Sequence, residues 1–138
     1  MSSAVWRRRV AEFLSPEWFE RARSAAESLR ERPGVDASLE WKVTAAPGGE
    51  STHHLEFESG RIRAWGLGPA RGPAFALTSS YADARAVYCG ELHLPSAFMR
   101  GQIKAAGDIG VFMAVLPVVN APDFAGLVGV LRGFTDPS

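Results

Sequence analysis

The chain has 138 residues, enough for one domain with a core of its own. Its 15 basic and 15 acidic residues cancel to a formal net charge of zero, which removes the basic surplus that nucleic-acid binders carry. Cys89 is the single cysteine, so no disulfide framework exists, and no stretch stays apolar for the roughly 20 residues that a membrane helix needs.

Residues 1–14 place Val5, Trp6, Val10, Phe13 and Leu14 around Arg7, Arg8 and Arg9. The spacing suits a short amphipathic helix or a packing arm. Its basic face has the composition for transient contact with a membrane surface. Glu12 interrupts the apolar run that a secretory signal would require. A single domain is expected over residues 15–138.

Ser15-Pro16-Glu17 opens a helix: Ser caps, Pro fits the first turn and Glu complements the dipole. Trp18, Phe19, Ala22, Ala25, Ala26 and Leu29 form its apolar stripe, and Pro33-Gly34 ends it. Residues 38–46 alternate as a strand, with Leu39, Trp41 and Val43 on one side. A second strand over residues 52–58 puts His53, Leu55 and Phe57 on one face, and Ser59-Gly60 makes a tight turn. The third strand, Arg61–Leu67, has mixed parity, because Ile62 and Trp65 are both large and apolar. A bulge or cover on both faces would reconcile them. Residues 74–78 form a fourth strand with Phe75 and Leu77 inward. Ser79-Ser80 then caps a helix that runs to Cys89 and stops at Gly90.

Residues 94–116 organise the rest. A short helix ends at Gly101, a strand over residues 102–106 points Ile103 inward, and Asp108 caps the next helix. That helix, Ile109–Val119, holds no charged or polar side chain. One side is expected on the sheet. The other needs an apolar partner: more core, a second subunit or a hydrophobic ligand. Pro122-Asp123 opens a last helix with Phe124, Leu127, Val128 and Leu131 on one stripe and with Gly126 and Gly129 inside. The pattern predicts an α+β fold: a five-stranded, mainly antiparallel sheet with helices mostly on one face.

The run Ala97-Phe98-Met99-Arg100-Gly101-Gln102-Ile103-Lys104-Ala105-Ala106-Gly107-Asp108 closely resembles the signature of the sterol carrier protein type 2 (SCP-2) domain. The preceding Leu77-Thr78-Ser79-Ser80 and its helix resemble that family's strand-then-helix approach. The resemblance implies a sheet covered by helices, with an apolar tunnel between the sheet and the later helices. It implies a hydrophobic ligand: a sterol-like molecule or isoprenoid, a fatty acid, a fatty acyl-CoA or a phospholipid. The chain ends Thr-Asp-Pro-Ser, without the family's peroxisomal tail, which suggests a stand-alone bacterial-type member in the cytoplasm.

On this resemblance the ligand-binding wall comprises Trp41, Phe57, Phe75, Phe98, Met99, Ile103, Ile109, Phe112, Met113 and Leu116, covered by Phe124, Leu127 and Leu131. Read from the residues alone, all of them also serve as plain core. No catalytic group, cofactor or metal site is expected. His53 and His54 leave opposite faces of a strand, and no Cys/His cluster has zinc spacing. Asp108 is a cap, Cys89 lacks a cationic neighbour to activate it, and the Gly66 to Gly72 loop lacks phosphate-loop spacing. The expected function is binding, with transfer, of a hydrophobic ligand by a monomer or homodimer. Two rivals stand beside it. One is an enzyme of lipid or secondary metabolism using His53, Tyr81 or Tyr88; the other is a dimerising module.

Overall fold

The structure, a computed structural model, describes residues 9–137. Ten-residue strands β1 (Ala37–Ala46) and β2 (Gly49–Glu58) form an antiparallel hairpin, and β3 (Arg61–Leu67) pairs with the far side of β2. The chain then crosses to the other side of β1. There β4 (Phe75–Ser80) lies parallel to β1, and β5 (Lys104–Gly107) closes the sheet antiparallel to β4. The strand order is β3-β2-β1-β4-β5, a mixed sheet with one parallel pairing.

Alternation gives this sheet one dry face. Leu39, Trp41, Val43, His53, Leu55, Phe57, Phe75 and Leu77 are buried, while Lys42, Thr44 and Thr78 between them are exposed. The mixed parity of β3 is resolved by a bulge. Glu56 pairs with Ala64 and Phe57 with Ile62, so Arg63 is the extra residue. The bulge turns Ile62 and Trp65 to the same, inner side as Leu55 and Phe57.

All the covering helices are capped or opened as their sequences dictate. Helix α1 (Pro16–Ala25) begins where the Ser15 hydroxyl accepts the Trp18 N–H at 3.2 Å. It stops sooner than the apolar stripe suggests. A single 3-10 turn, Ala26–Ser28, follows, and Leu29 is extended yet still buried. Helix α2 (Tyr81–Tyr88) is capped by Ser80, and α3 (Leu94–Met99) is one and a half turns opened by Pro95. Helix α4 (Ile109–Val119) is capped by Asp108, whose Oδ1 accepts the Val111 N–H at 3.1 Å. Helix α5 (Pro122–Phe134) closes the layer.

The β5–α4 junction explains why glycine precedes the capping aspartate. Gly107 has φ +107°, and a Cβ there would lie 2.7 Å from the Ala74 carbonyl oxygen and 2.9 Å from the Phe75 Cα. Backbone meets backbone at that point, so no side chain fits.

The N-terminal arm or short helix expected over residues 1–14 falls mostly outside the described residues. Residues 9–14 are not helical. Ala11 makes an isolated parallel bridge to Thr135, and Ala11, Phe13 and Leu14 are buried in the common core. No single helix among the described residues is long and apolar enough to cross a membrane. Helices α4 and α5 together reach that length and composition, with a bend of 78° between them.

Candidate functional site

The buried face of the sheet is covered in two different ways. At one end α1 lies on β3 and fills the space with rings. Trp18 makes edge or tilted contacts with Phe13, Phe19, Trp65, Tyr88 and Phe134 at centroid separations of 5.0–6.3 Å. At the other end a cavity of about 590 Å³ lies between the sheet and helices α2, α4 and α5.

Two rows of strand residues form the cavity floor: Leu39, Leu55 and Phe75 in one, Trp41 and Leu77 in the next, with Phe57 beside them. Phe112, Val115 and Val119 of α4 form one wall. Phe124, Ala125, Val128 and Gly129 of α5 form the roof. Tyr88, Cys89 and Gly90, where α2 ends, form the remaining side. Gly90 has φ +76°, and a Cβ there would come within 2.9 Å of Val128 Cγ1. The chain therefore turns tightly against α5 at that point. The rim carries the polarity: Glu91, His93, Asn120 and Arg132 line the cavity and are all exposed.

Of the expected wall residues, the structure brings Trp41, Phe57, Phe75, Phe112 and Phe124 to the cavity. It places the others elsewhere. Ile103, Leu127 and Leu131 are fully buried core without a face on the cavity. Phe98 and Leu116 are half-buried; Phe98 stands behind Phe112, ring centroids 4.9 Å apart. Met99, Ile109 and Met113 correct the expectation most sharply, because they point outward, exposed by 81%, 40% and 52%. Met99 is the last residue of the short helix α3, and for Ile109 and Met113 the physical reason is that α4 uses one side only. Phe112, Val115 and Val118 are buried, whereas Ile109, Met113, Ala114 and Pro117 face out.

Sequence reasoning missed Leu39, Leu55 and Leu77, although they share strand parity with Trp41, Phe57 and Phe75 and could have been found by it. It named Tyr88 only as a catalytic candidate of the rival enzyme, and it missed Cys89 and the four rim residues, for which no sequence signal exists.

The polar candidates are displaced from the cavity or already engaged. His53 is fully buried, stacked 5.7 Å from Trp41, and its Nε2 shares a 2.8 Å hydrogen bond with the Tyr88 hydroxyl. Burial, with a smaller contribution from His54, lowers its pKa to about 3, so the ring is neutral. Burial likewise pushes the Tyr88 phenol far up and keeps it protonated. Tyr81 is half-buried and donates to the Phe13 carbonyl at 3.3 Å, away from the cavity. His54 bonds the Gly68 carbonyl on the outer face. Among the described residues no group of three or more His, Cys, Asp or Glu could hold a metal.

The fold is thus a two-layer α+β sandwich whose sheet and helices border an apolar cavity. The sequence pattern described as the SCP-2 sterol transfer family matches residues 17–120, and the chain belongs to that family. The fold agrees with the crystal structure of sterol carrier protein 2, which has a TM-score of 0.59 at 22% identity and covers 88% of this chain and 98% of that one. It agrees also with the solution structure of palmitated SCP2L2 from Aedes aegypti. There the TM-score is 0.58 at 17% identity, over 78% of this chain and 96% of that one. Human stomatin-like protein 1 is 31% identical over 87 residues, which is 63% of this chain but only 22% of the human protein.

Proposed function

We propose that the protein binds a single-chain or sterol-like lipid in the cavity over the sheet centre and transfers it, with no chemistry of its own. The observation that carries this reading is the cavity itself. Its volume of about 590 Å³ falls within the range of about 300–1,000 Å³ typical of small-molecule sites. Leucine, valine and phenylalanine form its floor and walls, and each methylene buried against them contributes about 0.8 kcal/mol. A palmitated relative of the same fold supports an acyl chain as the guest.

Tyr88 is the one proposed catalytic candidate on the cavity wall. Its hydroxyl is engaged by a neutral imidazole and held protonated, which favours the carrier over the enzyme. Native mass spectrometry of the purified protein, followed by extraction and lipid analysis, tests the reading. Near one lipid per chain is expected. Turnover of a bound lipid that is lost in Tyr88→Phe would replace the carrier by an enzyme.

A further inference from the structure

Resting on that reading, we propose that the cavity takes its lipid tail first and holds an anionic head group, a carboxylate or a phosphate, at Arg132. The distribution of polarity around the cavity carries this. Every floor residue is apolar and buried apart from the Trp41 indole N–H, which is already donated to the Ser79 hydroxyl at 2.9 Å. The Tyr88 hydroxyl is likewise engaged within the core by His53. The depth of the cavity thus offers a guest no free hydrogen-bonding side chain other than the weak thiol of Cys89.

All the remaining polar side chains are at the rim, and they are not equivalent. Arg132, in the last turn of α5, is the only one with a permanent positive charge. It is exposed and makes no ion pair among the described residues. Its planar fork of N–H donors fits two oxygens of one anion. His93 is occupied on one side, its Nδ1 lying 2.8 Å from the Ser96 hydroxyl. Asn120 is neutral. Glu91, also without an ion-pair partner, opposes any anion at the same rim. The mouth is therefore built to prefer an acid over an alcohol of equal length, with Glu91 limiting the preference.

The test compares palmitate, hexadecyl phosphate and hexadecanol by isothermal titration at low salt, in the parent protein, Arg132→Gln and Glu91→Gln. The parent is expected to bind both acids more tightly than the alcohol. Arg132→Gln should weaken the acids about fivefold and leave the alcohol unchanged, the upper end for a solvent-screened ion pair. Glu91→Gln should tighten the acids, and added salt should weaken the acids alone. Loss of palmitate alone with hexadecyl phosphate unaffected would assign the site to carboxylates, within the proposal. Equal parent affinity for acid and alcohol, or equal weakening of both by Arg132→Gln, overturns the head-group site and leaves the carrier standing. Binding of none of the three overturns both.

Discussion

One sheet carries two regions that differ in everything except their strands. Beneath α1 the inner face is closed by Trp18, which sits among five rings and donates its indole N–H to the Thr135 hydroxyl at 2.9 Å. Beneath α4 and α5 the same alternation of strand residues meets Ala125 and Gly129, and a cavity remains. The lesson is that the strands decide which side is dry. The size of the residues that cover them decides whether that side is full or hollow.

The largest expected effect of breaking this contrast lies in the filled region. Trp18→Ala should cost about 3–5 kcal/mol, read by urea denaturation, because the five rings around it come from separate elements (the N-terminal arm, α1, β3, α2 and α5) that cannot all close on the space left behind. A loss below about 1 kcal/mol would show that this end is also loosely packed.

The second effect is pH dependence seated in the same region. The unfolded chain protonates His53 near pH 6.5, whereas in the folded protein its pKa is about 3. Between those values the unfolded state holds the extra proton. Stability is therefore complete above pH 6.5 and falls as the pH drops toward 3, by an amount on the order of a few kcal/mol. His53→Leu should flatten that limb of the curve in denaturation at stepped pH. An unchanged slope would place the titration elsewhere.

In the hollow region the opposite pattern is expected. An added Cβ at Gly129 meets no atom within 4 Å. Gly129→Leu should leave the melting temperature undiminished, since a helical glycine costs roughly 1 kcal/mol relative to alanine. It should weaken lipid binding by about tenfold or more, measured by displacement of a fluorescent fatty acid. Unchanged binding would move the guest out of this cavity.

A smaller effect concerns how the roof is fastened. Asp123, at the start of α5, accepts from the Arg32 guanidinium at 2.5 and 3.1 Å and from the Arg30 backbone N–H at 2.8 Å. The Arg32 hydrogen bonds, then that of Arg30, hold its carboxyl well below the usual carboxylate range. Its contribution is therefore present above about pH 4, its unfolded value, and lost on further acidification. Asp123→Asn should speed amide exchange in α5 by about threefold while leaving α1 unaffected. The smallest change is on the outer side of α4. Met113→Lys should alter stability by less than about 0.5 kcal/mol. If size-exclusion chromatography shows a parent dimer that this change dissociates, the outward apolar side of α4 is an interface.

Much of this was legible in the chain. The alternation of Leu39-Trp41-Val43 set β1, Ser15, Ser80 and Asp108 marked three helix starts, and the mixed parity of Ile62 and Trp65 called for either a bulge or cover on both faces, of which the structure has the bulge. The cavity was legible only in part. A pattern that says a residue is inside does not distinguish Ile103 and Leu131, packed against neighbours, from Phe75 and Phe124, packed against a void. Nor could an all-apolar helix reveal which side would be left uncovered, so Met113 was expected inside and stands outside.

By itself the sequence determined most of the secondary elements, though not where α1 ends or β5 begins, along with the dry face of the sheet and the family signature from Ala97 to Asp108. These follow from local periodicity, capping and turn stereochemistry, each a matter of neighbours along the chain. Only the tertiary structure decided where the hollow lies and that Arg132 and Glu91 share its rim. Those depend on how far apart helices settle when glycine and alanine face phenylalanine and leucine across the gap, a distance that no local pattern encodes.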